Sequence, residues 1–165
     1  MLAKIILLEG CDGSGKTFLA NWLHDTYGYQ IIKTGPPVPG IDVTVSYLRA
    51  LRAAIKVPSR TVFDRLHIGE AIYGPILRGE DRMGPEGMAA MERVIAKHNI
   101  KLIICSPPWN TLVAGWSSKD DLLKDEATLL TVQERYLEEA DRFGIQPYDW
   151  TAVDADQVLK GLIEC

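Results

Sequence analysis

Gly10-Cys11-Asp12-Gly13-Ser14-Gly15-Lys16-Thr17 is the stretch on which the reading of this chain turns. It fits G-x-x-x-x-G-K-[ST], the phosphate-binding loop or P-loop. The spacing has a physical reason. Gly10, Gly13 and Gly15, with Ser14 between them, let the backbone curl until several N–H groups point inward at phosphate oxygens. A helix starting near Lys16 aims its positive end at the same point. Lys16 is then placed to reach β- and γ-phosphates, and the Thr17 hydroxyl to complete a Mg²⁺ shell. The ligands such a loop calls for are a nucleoside triphosphate, ATP by default, and Mg²⁺.

The flanks agree with the loop. Ala3 to Leu8 is an apolar run broken only by Lys4, as expected of a strand buried on both faces. Thr17 to Tyr27 carries Phe18, Leu19, Trp22 and Leu23 at helical spacing and stops near Gly28. Further out, Tyr29 to Lys33, Thr61 to Asp64, Lys101 to Cys105 and Tyr148 to Val153 read as strands. Val43 to Ile55, His67 to Leu77, Pro85 to Lys97, Asp120 to Phe143 and Asp156 to Leu162 read as helices. Strand and helix alternate, which predicts an α/β, three-layer P-loop NTPase fold. Its five-stranded, mostly parallel sheet would carry helices on both faces, within a single domain over residues 1–165. Ligands of such sheets bind beyond the carboxyl ends of the strands, where both the glycine loop and a later Asp64-Arg65 pair fall.

Composition narrows the partners. The 165 residues are 47% hydrophobic and 24% charged, with a net charge of −4 and a pI near 5.4. An acidic chain is poorly suited to duplex nucleic acid, whose non-specific binding needs a cationic surface. A small anionic acceptor is the expected partner. Cys11, Cys105 and Cys165 show neither metal-ligand nor disulfide spacing and read as reduced thiols, with the cytoplasm as the default location. The longest apolar run, Ile5 to Leu8, is too short to span a bilayer, and it leads straight into the glycine loop rather than a cleavage site.

Two segments together resemble the thymidylate kinase family. One is Glu9-Gly10-Cys11-Asp12-Gly13-Ser14-Gly15-Lys16-Thr17. The other is Asp64-Arg65 after Val62-Phe63, followed by Tyr73. The resemblance implies that Asp12 faces the acceptor and holds its sugar hydroxyl, and that Arg65 grips the acceptor phosphate. Asp64 would contact Mg²⁺ through water or orient the acceptor, and Tyr73 would wall the sugar. Arg49 and Arg52, three residues apart on one helix face, lie where relatives contact the acceptor base. A homodimer is left open by the same resemblance.

The departures are specific. Thr34-Gly35-Pro36-Pro37 replaces the family's Arg-Glu-Pro-Gly, and Gly69 and Gly74 stand where its serine and glutamine would be. The lid region, about residues 109–121, has Lys119 as its only cation. Phosphoryl transfer is mostly positioning and electrostatics, so some cation must neutralise the transition state. Arg78 and Arg82, flanking Gly79-Glu80-Asp81, are the candidates. His67 stands two residues beyond Arg65, and Trp109 and Trp116 flank the lid, where packing is favoured over stacking on a base.

The leading expectation is therefore transfer of the ATP γ-phosphate to a deoxynucleoside monophosphate, dTMP-like, to give the diphosphate. A P-loop kinase acting on a hydroxyl of a nucleoside, a modified base or another small molecule is the alternative. A hydroxyl would need a base to take its proton, with Asp12 or Asp64 available. A regulatory ATPase ranks third. The fourth strand ends in Cys105-Ser106-Pro107 without an acidic Mg²⁺ ligand, and no Asn-Lys-x-Asp motif is present.

Overall fold

The computed structural model describes residues 1–35, 37–117 and 120–164. The chain runs β1 (Ile5–Glu9), α1 (Lys16–Tyr27), β2 (Gln30–Lys33), α2 (Val43–Lys56), β3 (Thr61–Asp64), α3 (His67–Arg78) and α4 (Gly84–Lys97). It continues through β4 (Lys101–Ile104), α5 (Trp109–Gly115), α6 (Glu126–Phe143) and α7 (Ala155–Ile163). The strands form one parallel sheet in the order β2-β3-β1-β4. Leu8 pairs with Asp64 on one side and Ile103 on the other, so β1 is central and its carboxyl end stands between those of β3 and β4.

The two-residue period of a strand explains the layers. Ile6, Leu8, Val62, Ile103 and Cys105 face one side and bury against Leu19, Leu23 and Leu159 of α1 and α7. Ile5, Leu7 and Phe63 face the other side, against Tyr47, Leu51 and Met91 of α2 and α4. A third cluster joins Ile104 to Ile68 and Ile72 of α3, Leu112 of α5, and Leu129, Val132 and Tyr136 of α6. Every residue of β1 is buried, and each such aliphatic side chain stabilises the fold by roughly 1.5–3 kcal/mol.

Two expectations need correction. The sheet has four strands, because the segment at 148–153 makes only an isolated parallel bridge, Tyr148 with Cys105. Tyr148 N–H donates to Ile104 O at 2.7 Å, but the next residue ends the ladder. Asp149 accepts from its own neighbour, Thr151 N–H, at 2.8 Å, which turns the backbone away from the sheet. The long helix begins at Glu126 rather than Asp120. Asp125 is its N-cap and accepts from Thr128 N–H at 2.8 Å. Upstream, Ser117 N–H donates to Asp121 Oδ2 at 2.7 Å, a competing local turn. The short helix α5, within residues 109–121, has no amphipathic signature long enough to read.

Candidate phosphate and acceptor site

The glycine loop is closed on two sides by its neighbours. Gly13 has φ +76, and a Cβ there would lie 2.6 Å from Leu112 O of α5. Gly15 has φ +88, and a Cβ would lie 2.4 Å from Trp150 Nε1. Only glycine meets both the backbone conformation and the clearance. Lys16 folds back over the loop, its ammonium donating to Cys11 O at 2.6 Å and Ser14 Oγ at 3.2 Å. Burial, reinforced by the nearby Arg65 charge, pushes its pKa down to about 8. The Thr17 hydroxyl donates to Asp64 Oδ2 at 2.9 Å. Gly13, Lys16, Thr17, Phe18, Asp64, Arg65 and Trp150 are among the walls of an open cavity of about 410 Å³.

Arg65 is held in an uncommon conformation, with φ 65. For a side chain with a Cβ that costs about 1–2 kcal/mol, and its surroundings over-determine it. Its N–H donates to Leu8 O at 2.9 Å, and its carbonyl accepts the Thr34 hydroxyl at 2.7 Å. The next N–H, of Leu66, donates to Glu9 Oε1 at 2.9 Å. Glu9 is fully buried and also accepts Tyr136 OH at 3.2 Å. Burial raises its pKa against the pull of those hydrogen bonds and the Arg65 charge. The result turns the Arg65 side chain toward the glycine loop, where its guanidinium pairs with Asp12 and lies 4.7 Å from the Tyr73 ring centre.

Asp12 is a hub rather than an open carboxylate; it is 4% exposed. Its Oδ1 accepts from Arg65 and from Tyr73 OH at 3.1 Å, and its Oδ2 accepts from Leu123 N–H at 3.1 Å. Its own N–H donates to Tyr73 OH at 3.0 Å. Burial alone would raise its pKa, but the Arg65 charge and these hydrogen bonds outweigh it and hold the carboxyl below the usual range. Asp12 thus ties the glycine loop to α3 and to the segment before α6.

A second cavity, of about 230 Å³, opens on the other side of Arg65. Its walls include Thr34, Gly35, Tyr47, Glu70, Tyr73, Arg78 and Leu122. Arg65 is common to both cavities. Within the second, buried Glu70 pairs with Arg78 and accepts from Arg82 N–H at 3.4 Å. One of the glycines at the departed positions has a packing reason. A Cβ at Gly74 would lie 2.6 Å from Glu80 O, whereas one at Gly69 would make only ordinary contact, 3.4 Å from Glu9 Oε2 and Tyr136 OH.

Of the residues singled out from sequence, the structure brings together Lys16, Thr17, Asp64, Arg65, Asp12, Tyr73 and Arg78 at the two cavities. Arg82 lines neither and pairs with Glu80 at 2.8 Å. Arg49 and Arg52 are exposed on the outer face of α2 beside Val45, Leu48 and Lys56, whereas Tyr47 is what α2 sends to the second cavity. Trp109 and Trp116 pack into the third core cluster, and Lys119 lies outside the described residues, as does Cys165. His67 is fully buried with both ring nitrogens unpartnered, and burial pushes its pKa down to about 4. Burial pushes Cys11 up to about 11 and Cys105 up to about 12, so both thiols stay protonated at neutral pH.

Sequence reasoning passed over Glu9, Tyr136, Glu70 and Trp150. Glu9 carried a signal, a carboxylate closing an otherwise apolar strand. Glu70 and Trp150 carried none, since only the fold brings them to the cavities.

The oxygen pair Thr17 and Asp64 at the cavity edge fits a hard cation such as Mg²⁺. Among the described residues no group of three or more His, Cys, Asp or Glu could hold a metal alone. The remaining ligands would come from phosphate and water, as is usual for Mg²⁺. No helix among the described residues is long and apolar enough to cross a membrane.

No protein-family model matches the chain, and no curated protein sequence matches it. Solved structures do. The YorR protein from Bacillus subtilis, in complex with phosphorylated GDP, is 17% identical over 96% of this chain and 93% of that one, with a TM-score of 0.73. The chain has the fold of the P-loop kinases. Deoxyadenosine kinase from M. mycoides with bound dCTP is 14% identical over 96% of this chain and 98% of that one, with a TM-score of 0.59. Thymidylate kinase from Candida albicans is 16% identical over 98% and 89%, with a TM-score of 0.57. At such identities the likeness is one of fold, and the acceptor has to be argued from the site.

Proposed function

We propose that the chain is a nucleotide kinase that transfers the γ-phosphate of Mg-ATP to the phosphate of a nucleoside monophosphate, a dTMP-like deoxynucleotide being the leading acceptor. The observation that carries this reading is Arg65, among the described residues the one guanidinium lining both cavities. A planar fork there can hold an acceptor phosphate against the terminal phosphate of the donor. Lys16 and the backbone of Gly13 to Thr17 bind the triphosphate. Thr17 and Asp64 would hold Mg²⁺, which when bound neutralises charge between the β- and γ-phosphates. Tyr73 and Tyr47 wall the sugar and base, and Glu70 with Arg78 offers charged groups toward a base edge.

An acceptor phosphate oxygen already carries its electron pair. It bonds to the γ-phosphorus as the bond to the β–γ bridging oxygen breaks, and no proton has to move. That suits the carboxylates present. Asp12 is held ionised with both oxygens occupied, Asp64 receives Thr17, and Glu70 is paired with Arg78. Asp12, with neither oxygen free, is not presented as a base for a hydroxyl.

One observation favours the alternative, a hydroxyl acceptor on a nucleoside, a modified base or another small molecule. Residues 109–121 hold no arginine, and an uncharged hydroxyl brings less negative charge to be neutralised than a phosphate does. A transfer screen with Mg-ATP separates the two. It would cover deoxy- and ribonucleoside monophosphates, nucleosides, and plain and modified oligonucleotides. Turnover on one deoxynucleoside monophosphate is the expected result; turnover on a hydroxyl alone would replace this reading with the second.

A further inference from the structure

The donor cavity has an aromatic end that phosphate binding does not use. Phe18, the residue after Thr17, is 65% exposed, and its ring lies 6.1 Å from that of Trp150 at a tilt of 41°. A single exposed phenylalanine means little. This one has a partner that the loop itself fixes in place. Trp150 donates its indole N–H to Ser14 O at 3.0 Å and lies against Gly15. Both rings line the same cavity as Lys16 and Thr17, and neither lines the Arg65–Tyr73 cavity beyond.

A triphosphate whose γ end must meet Arg65 therefore runs its nucleoside away from Arg65, toward those two rings. Several polar groups on the cavity wall are already engaged. The Trp150 N–H is taken by Ser14, Ser14 Oγ by Lys16, and Asp121 Oδ2 by Ser117 N–H. The two rings offer a base their π-faces, which attract any base alike, and the engaged Trp150 N–H reads no hydrogen-bonding edge.

Building on the proposed function, we infer that Phe18 and Trp150 form the platform on which the donor base stacks, and that the chain takes ATP and GTP alike as phosphate donors. Specificity then resides in the acceptor cavity, and the donor is chosen by its triphosphate and by having a large ring system.

Calorimetric titration with Mg²⁺ and ATP, GTP, CTP, UTP or inorganic tripolyphosphate tests this on the intact chain. ATP and GTP should bind within about threefold of each other, with the pyrimidine nucleotides several-fold weaker. Phe18→Ala should weaken both purine nucleotides on the order of tenfold and leave tripolyphosphate unchanged, while Phe18→Trp restores the purines. Phe18 is a surface residue, so the variant folds; a circular-dichroism melt checks that directly. Unchanged ATP affinity in Phe18→Ala, or a hundredfold preference of the wild-type chain for one purine, would overturn the platform. Failure of the wild-type chain to bind tripolyphosphate or any nucleotide would instead overturn the proposed function, and the platform with it.

Discussion

Replacing Arg65 tests the site and the fold at once, and the two effects can be separated. Arg65→Ala leaves Asp12 buried without its counter-ion. Breaking a buried pair costs about 3–5 kcal/mol when nothing else compensates. Asp12 keeps hydrogen bonds from Tyr73 OH and Leu123 N–H, both at 3.1 Å, and the Arg65 side chain is 19% exposed. The cost should therefore fall to about 2–3 kcal/mol, within the roughly 5–15 kcal/mol a domain has to lose. Adding Asp12→Asn removes the uncompensated charge and keeps an acceptor oxygen, so the double variant should recover about half of that loss. Arg65→Gly should be about 1 kcal/mol more stable than Arg65→Ala, because φ 65 no longer strains a Cβ. Urea unfolding reads these differences. Phosphate transfer should behave otherwise. All three variants should lose on the order of a thousandfold in rate, because none supplies a cation between the cavities, while ATP affinity changes by less than about tenfold. If the double variant regained transfer along with stability, Arg65 would be a structural residue only. If ATP affinity fell in step with transfer, the assignment of Arg65 to the acceptor would be wrong.

Two further outcomes follow from the buried titrating groups. With the Lys16 pKa pushed down to about 8, part of the free protein is neutral there at pH 8 to 9. A bound triphosphate favours the charged form, so binding should take up a proton in that range and weaken above it. Calorimetry in buffers of different ionisation enthalpy measures the uptake, and release or no change would refute it. His67, with a folded pKa of about 4 against about 6.5 unfolded, stays neutral in the fold while the unfolded chain protonates. The unfolded state then binds more protons between those values, so stability must fall as pH drops through that window. The loss between about pH 7.5 and 5 is about 2 kcal/mol, and His67→Leu should remove that part of the slope. Parallel slopes for the two proteins in urea unfolding would show that His67 is not what titrates.

Much of this architecture is legible in one dimension because local rules set it. The apolar run before Gly10 read as a strand buried on both faces and forms β1, Ile5–Glu9, and Thr61–Asp64 was delimited to the residue. Helix ends followed caps and glycines wherever those stood alone. Two of the errors came where two local signals competed. Asp149 and Asp121 both spend a carboxylate on nearby N–H groups, and an apolar pattern cannot register that.

For the site, the sequence by itself determined the phosphate loop and the Asp64-Arg65 pair, since each is a short motif whose chemistry depends on residues adjacent in the chain. Tertiary structure decided the rest. It engaged both oxygens of Asp12, turned Arg65 into a left-handed conformation braced by Glu9, and set Glu70 opposite Arg78. It carried Arg49 and Arg52 to the outer face of α2 and laid Trp150 across the loop from 136 residues away. The physical reason is that a carboxylate's role depends on what occupies its lone pairs, and an aromatic ring's on which surface it covers. Both are settled by chain segments that meet only when the sheet has formed.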